Sequence, residues 1–192
     1  IWLLDWGNSR IKAAELNQGR ITRSHVVDWE DLGLQDALER VAPETEPDEI
    51  WISSVAGREA GETLVRWAAD REWPTPRFAR SVPQALGVRC AYENPSRLGV
   101  DRWMVTLAAA AVERHAIVVD AGTACTIDAV TADGQHLGGL ILPGISLSRR
   151  LLNQRTQFVA DDTELVTLPA VATDTTPAVS ARPSSLPRRG GG

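Results

Sequence analysis

The chain has 192 residues, of which 43% are hydrophobic and 23% charged, with a formal charge of −5 and two cysteines. That is the profile of a globular protein long enough to bury a core. Residues 1–181 hold 17 basic and 25 acidic groups, which disfavours a nucleic-acid partner, because phosphate neutralisation needs a concentrated basic face. Cys90 and Cys125 form no spaced framework, no signal-peptide pattern opens the chain, and the apolar run 105–112 is far too short to span a bilayer. A cytoplasmic protein with no membrane partner is the expectation. Arginine fills 19 of the 20 basic positions, so Lys12 is a singleton, as are Tyr92 and Met104. A chain opening at Ile1 is expected to lack a residue or more at its front.

Residues 1–5 form an apolar run ending in Asp5, and the alternation through residues 11–16 leads to the turn Asn17-Gln18-Gly19, which together predict a hairpin. A third strand is expected over 21–29, a helix over 32–41, a buried strand over 49–55 and a helix over 58–69, before Pro74 and Pro76 break regular structure. Residues 80–95 read as irregular. A helix over 101–114 and an apolar strand over 116–120 follow, then strands over 123–130 and 137–142 around the turn 131–134, and a helix over 145–152. Both halves place Asp-x-Gly at the end of a first strand, and the spacing from Asp5 to Gly19 equals that from Asp120 to Gly134. Internal duplication is the economical reading, with generic turn chemistry as the alternative. The second half stops after its helix, and residues 169–192, rich in Pro, Ser, Thr, Arg and Gly, read as a disordered tail.

Four segments carry possible chemistry. In Asp5-Trp6-Gly7-Asn8-Ser9-Arg10-Ile11-Lys12, a glycine permits close approach of the backbone to an anion. Asn8 and Ser9 add donors, Asp5 can hold a hydrated Mg²⁺ and Lys12 can face phosphate oxygens; an ordinary polar hairpin turn is the alternative. Residues 120–128 pair Asp120 with Gly122 and the hydroxyls of Thr123 and Thr126, and two such hairpins in matching positions point to phosphates clamped between two lobes. In residues 93–103, Asn94-Pro95-Ser96 signals a helix entry, and Asp101 reads either as an N-cap or as a functional carboxylate. Arg102 beside it is either a solvated helix charge or a donor to a polar substrate. In residues 138–144, paired glycines mark close packing or ligand approach. His25, His115 and His136 lack ligand spacing, and the seven tryptophans, none beyond Trp103, read as core or interface residues.

In this order and spacing, the four segments resemble the type III pantothenate kinases, including the Bvg accessory factor proteins, over about residues 1–180. The resemblance implies an α/β fold of duplicated ribonuclease-H-like lobes, as in the acetate and sugar kinase, heat-shock ATPase and actin superfamily. Residues 1–95 would form the first lobe and 96–168 an incomplete second one. It implies ATP-dependent phosphorylation of pantothenate at its terminal hydroxyl, the first step toward coenzyme A, by a homodimer. ATP would contact Asp5, Trp6, Gly7, Asn8, Ser9 (where the family usually has Thr), Arg10, Ile11, Lys12 and Thr123. Pantothenate would contact Tyr92, Gly99, Val100, Asp101, Arg102 and Thr175, with Asp101 as proton acceptor. Asp120 would bind a monovalent cation, K⁺ or NH₄⁺, and Asp5 would sit near Mg²⁺.

The sequence departs from the family after Ala181, where the adenosine loop and closing helix give way to an Arg/Pro/Ser/Gly-rich end that reads as a frameshift, truncation or artificial terminus. A shortened second lobe is expected to expose apolar surface. Two rival functions remain at this level. One is a catalytically impaired relative acting as a nucleotide-binding or regulatory protein. The other is a metal-dependent nuclease using Asp5, Asp101, Asp120 and Asp128, against which the acidic balance and the Gly-Asn-Ser loop argue.

Overall fold

The computed structural model describes residues 1–155 apart from Asp31 and Glu113, and not the side chains of Asn153 and Arg155. The expectations for Thr175, the 169–192 tail and the last part of the second lobe lie outside the described residues.

The first sheet starts with β1 (Trp2–Trp6), β2 (Arg10–Asn17) and β3 (Arg20–Asp28), antiparallel in turn. The β2–β3 turn is built on Gln18 and Gly19, both at positive φ (47° and 75°), the conformation that a tight two-residue hairpin requires. Helix α1 (Leu34–Val41) carries the chain to β4 (Ile50–Ser54), which pairs parallel with β1. After α2 (Arg58–Ala69), the two-residue strand β5 (Arg77–Phe78) joins the far edge parallel to β4, giving the order β3-β2-β1-β4-β5. The sequence reading ended regular structure at the prolines and missed β5, because two residues carry no periodicity.

Alternation fixes the core. Trp2, Leu4 and Trp6 of β1, Ile11 and Ala13 of β2 and Ile50 and Ile52 of β4 turn to one buried face. There they meet Ala37, Leu38 and Val41 of α1 and Ala60, Leu64, Trp67 and Ala68 of α2, at the i, i+3, i+4 spacing of amphipathic helices. Each large apolar side chain buried here is worth roughly 1.5–3 kcal/mol. Trp2, Trp67 and Trp73 form a cluster of edge and tilted rings with centroids 5.3–6.2 Å apart, as the core reading of tryptophan expects, whereas Trp51 lies on the surface, 39% exposed.

Residues expected to be irregular hold a short hairpin, β6 (Gln84–Ala85) and β7 (Val88–Arg89), and a 3-10 turn over Pro95–Arg97. Helix α3 (Val100–Ala110) is shorter than the expected 101–114. It contributes Trp103 and Leu107 to a second core with Val88, Leu98 and Val130. The strands β8 (Ala116–Ala121), β9 (Ala124–Val130) and β10 (His136–Pro143) form a sheet of order β10-β9-β8, and α4 (Ile145–Arg155) follows. The three-strand, helix pattern recurs as the internal spacing predicted. On β8 and β10, Ile117, Val119, Leu137, Leu140 and Ile141 are exposed. Among the described residues the chain divides into two compact units, residues 1–120 with 126–141, and residues 121–125 with 142–155.

Candidate active site

In the first unit, β1 and β2 place Asp5 opposite Lys12 in antiparallel register, with Lys12 Nζ 3.3 Å from Asp5 Oδ2. Both side chains are about half exposed, so the pair is solvated and open to a ligand. The Gly7 N–H donates to the Arg10 carbonyl at 2.9 Å, closing the loop. Trp29, just past the end of β3, then clamps it: its indole N–H donates to the Gly7 carbonyl at 3.0 Å and its main-chain N–H to the Ser9 carbonyl at 3.1 Å. The Ser9 hydroxyl donates to Glu30 Oε1 at 3.2 Å, and Arg10 Nε to Asp28 Oδ1 at 2.7 Å. Nothing in the sequence flagged Trp29. One expectation needs narrowing. The Trp6 and Ile11 side chains are fully buried in the core, so toward ATP these two residues offer main chain only.

The Asn94 segment behaves as its sequence reads: Asn94 Oδ1 accepts from the Ser96 N–H at 3.1 Å and the Ser96 hydroxyl at 2.7 Å. The N-cap reading of Asp101 fails, because Gly99 occupies the cap and Asp101 lies in the first turn of α3. Its Oδ1 instead accepts from the Arg102 N–H at 2.8 Å. This fold-back depends on Gly99, since a Cβ there would stand 2.5 Å from Asp101 Oδ1.

Arg102 is not a solvated helix charge. It is 5% exposed and forms a two-pronged bond with Asp128, Nε to Oδ2 and Nη2 to Oδ1, both at 2.7 Å. The Asp128 carboxylate raises the guanidinium above its ordinary pKa against the opposing effect of burial, and the Tyr92 hydroxyl adds to the rise. The remaining nitrogen, Nη1, donates to the Tyr92 hydroxyl at 3.4 Å. Behind Asp128 stands fully buried His136, whose Nε2 is 3.0 Å from Asp128 Oδ1. The Ala91 N–H donates to His136 Nδ1 at 3.4 Å, which assigns the proton to Nε2 and makes His136 a donor to Asp128. The His136 and Tyr92 rings lie parallel, 6.2 Å between centroids. Asp128 and His136 are 26 and 34 positions from Arg102, so no local spacing could have joined them.

Gly139, one of the paired glycines, is explained by the same cluster. A Cβ there would lie 2.3 Å from Asp128 Oδ1 and 2.6 Å from Arg102 Nη2. Asp120, next to last in β8, is exposed. In the second unit, the Gly122 N–H donates to the Ala124 carbonyl at 2.9 Å and the Gly144 N–H to the Thr123 carbonyl at 3.1 Å, packing the turn against the start of α4. Among the described residues no group of three His, Cys, Asp or Glu side chains is placed to hold a metal. The nuclease alternative draws no support from the described residues: no three of its four aspartates are grouped there, and Asp128 is committed to Arg102 and His136. Among the same residues, no helix is long and apolar enough to cross a membrane.

The type III pantothenate kinase family model matches residues 1–181. The type III pantothenate kinase of Nitrosococcus oceani is 34% identical over 188 residues, covering 94% of this chain and 71% of the relative. That of Nitrosospira multiformis is 39% identical over 160 residues, covering 78% and 56%. The chain therefore spans between about half and three quarters of these relatives' length. A Campylobacter jejuni protein described as a conserved Baf family transcriptional activator superposes with a TM-score of 0.54 over 94% of this chain and 72% of that one; at 24% identity, the likeness shows the fold alone. With the family model matching residues 1–181 and a curated relative 34% identical over 94% of the chain, the chain belongs to the type III pantothenate kinase family, whose reaction is the ATP-dependent phosphorylation of pantothenate in coenzyme A biosynthesis.

Proposed function

We propose that this chain carries out the family's reaction itself, transferring the γ-phosphoryl group of ATP to the terminal hydroxyl of pantothenate with Asp101 as proton acceptor. The observation that carries the reading is the start of α3. Gly99 clears the space, the Arg102 N–H holds Asp101 Oδ1, and Oδ2 is left to take the hydroxyl proton. A base positioned in this way contributes typically ~10²–10⁴-fold. Tyr92 and Arg102, with Gly99 and Val100, would orient the pantothenate, and Thr175 would add a late contact.

Phosphoryl transfer depends mainly on positioning and charge neutralisation. The main chain of residues 6–11 would cradle phosphate oxygens, Lys12 would add a point charge, and Thr123 would make a further ATP contact. One half-exposed carboxylate beside an ammonium, the donor set at Asp5, fits a Mg²⁺ that keeps most of its waters and is held chiefly by nucleotide phosphates, whose charge it would neutralise. The exposed carboxylate of Asp120 is a hard oxygen donor suited to K⁺ or NH₄⁺. We further propose lobes over 1–95 and 96–168, a homodimer, a cytoplasmic location, and no nucleic-acid or membrane partner.

A coupled ADP-release assay tests the reading. Turnover should require pantothenate and rise with K⁺ or NH₄⁺, and Asp101→Ala should keep ATP binding while losing most turnover. Folded protein without pantothenate-dependent ADP release would overturn the assignment.

A further inference from the structure

We propose that Asp128 and His136 are positioning residues of the pantothenate site, holding the Arg102 guanidinium and the Tyr92 hydroxyl in one preorganised pair of donors. The inference rests on the reading that Tyr92 and Arg102 contact pantothenate. It starts from a puzzle of cost. Burying an ion pair is seldom stabilising against an apolar pair of similar volume, so the 5%-exposed Arg102 and 2%-exposed Asp128 need a reason beyond packing.

Geometry supplies one. Asp128 takes the Nε and Nη2 edges of the guanidinium at 2.7 Å each, which fixes the plane of the group and leaves Nη1 as its outward edge, facing the Tyr92 hydroxyl. That hydroxyl accepts from Nη1, so its own proton is directed to another acceptor. The pair Arg102–Asp128 is net neutral, which makes the guanidinium an oriented donor rather than a free cation. His136 acts on both members. Its Nε2–H donates to Asp128 Oδ1, which already accepts from Arg102 Nη2, and its ring lies parallel to Tyr92. Trp103, tilted against the same imidazole at 6.4 Å between centroids, and the Ala91 N–H on Nδ1 leave the ring one orientation. Gly139 is the space this arrangement needs. Arg102 directly follows Asp101, so the donors are fixed next to the proposed base.

The test compares His136→Leu, His136→Gln, Asp128→Asn and Tyr92→Phe by pantothenate calorimetry and steady-state kinetics, with circular dichroism to establish folding. His136→Leu should raise the KM for pantothenate about 3- to 10-fold, the loss of one ordinary hydrogen bond, with the KM for ATP unchanged. His136→Gln, which keeps an N–H donor near the Nε2 position, should recover most of that loss. The effects of His136→Leu and Tyr92→Phe should be less than additive, because His136 is linked to the Tyr92 hydroxyl through Asp128 and Arg102 in one hydrogen-bonded chain. If Tyr92→Phe weakens pantothenate binding but His136→Leu and Asp128→Asn do not, the positioning role is wrong. If Tyr92→Phe itself has no effect, the underlying site reading falls and the proposal with it. A readout independent of substrate is the Arg102 Nε–H resonance. Slow exchange with water supports the fixed guanidinium in the wild-type chain, and rapid exchange overturns it even if a variant fails to fold.

Discussion

Replacing Gly99 by alanine separates the role of the Asp101 carboxylate from the stability of the helix that carries it. The backbone at Gly99, φ −53° and ψ 133°, is open to any residue, so alanine introduces no backbone strain. Its Cβ would stand 2.5 Å from Asp101 Oδ1. Non-bonded heavy atoms prefer about 3.5 Å, so the oxygen must retreat by roughly 1 Å. Asp101 is a side chain at the start of a helix and can swing, and in doing so it gives up the Arg102 N–H at 2.8 Å. Misplacing a reacting group by about 1 Å costs on the order of 10²-fold in rate, or about 2.7 kcal/mol on the barrier. Stability should fall by no more than about 1 kcal/mol, the scale of helix-cap substitutions. Steady-state kcat and a thermal melt of the same preparation measure both effects. Asp101→Asn, alone and combined with Gly99→Ala, supplies the control. If Gly99 acts through the carboxylate, the double variant should be hardly slower than Asp101→Asn. A kcat within twofold of wild type, or a full further hundredfold loss in the double variant, would refute the reasoning.

Three other outcomes follow from the geometry. Gly139→Ala should destabilise the chain by about 1–3 kcal/mol through overpacking, and by more if Arg102 and Asp128 are parted, because the methyl also meets the Ile127 carbonyl at 2.2 Å and nothing there can swing aside. An unchanged urea midpoint would contradict the close approach. Lys12→Ala should leave the melting temperature nearly unchanged, since its exposed pairing with Asp5 is worth about 0–1 kcal/mol, while raising the KM for ATP; an unaltered KM would detach Lys12 from the phosphates. Glu39 accepts the Trp67 indole N–H at 3.0 Å and pairs with Arg71, and the Trp67 bond first, then Arg71, lowers its pKa below the ordinary 4.5. That contribution is complete above the ordinary value and is lost as pH falls through the lower folded-state value. The gap in melting temperature between wild type and Glu39→Gln should therefore be present at about pH 7 and shrink progressively as the solution is acidified below the ordinary carboxylate value, and a gap independent of pH would refute it.

Much of the first lobe was legible because its elements are long enough to show a period. Trp2, Leu4 and Trp6 alternate, Leu64, Trp67 and Ala68 repeat with a helical spacing, and Gln18-Gly19 is a turn by its own chemistry. The same alternation, followed one step further, turns Trp6 and Ile11 inward and Asp5 and Lys12 outward, so the eight loop residues that the family resemblance gives to ATP differ in whether they present side chain or main chain. β5 was not legible. Two residues after a proline pair become a strand only because β4 presents an open edge at that point.

By itself, the sequence determined the order of the motifs, the hairpin that sets Asp5 against Lys12 and the helix start that carries Asp101, all consequences of interactions between residues a few positions apart. Tertiary structure alone decided what surrounds them. Trp29 locks the first loop from the segment that follows β3, Asp128 and His136 reach Arg102 across distant sequence, and Gly139 is small because two charged groups meet beside it. A buried charge must be neutralised by whatever the fold brings near it, and that partner is selected by three-dimensional proximity, which sequence spacing does not encode.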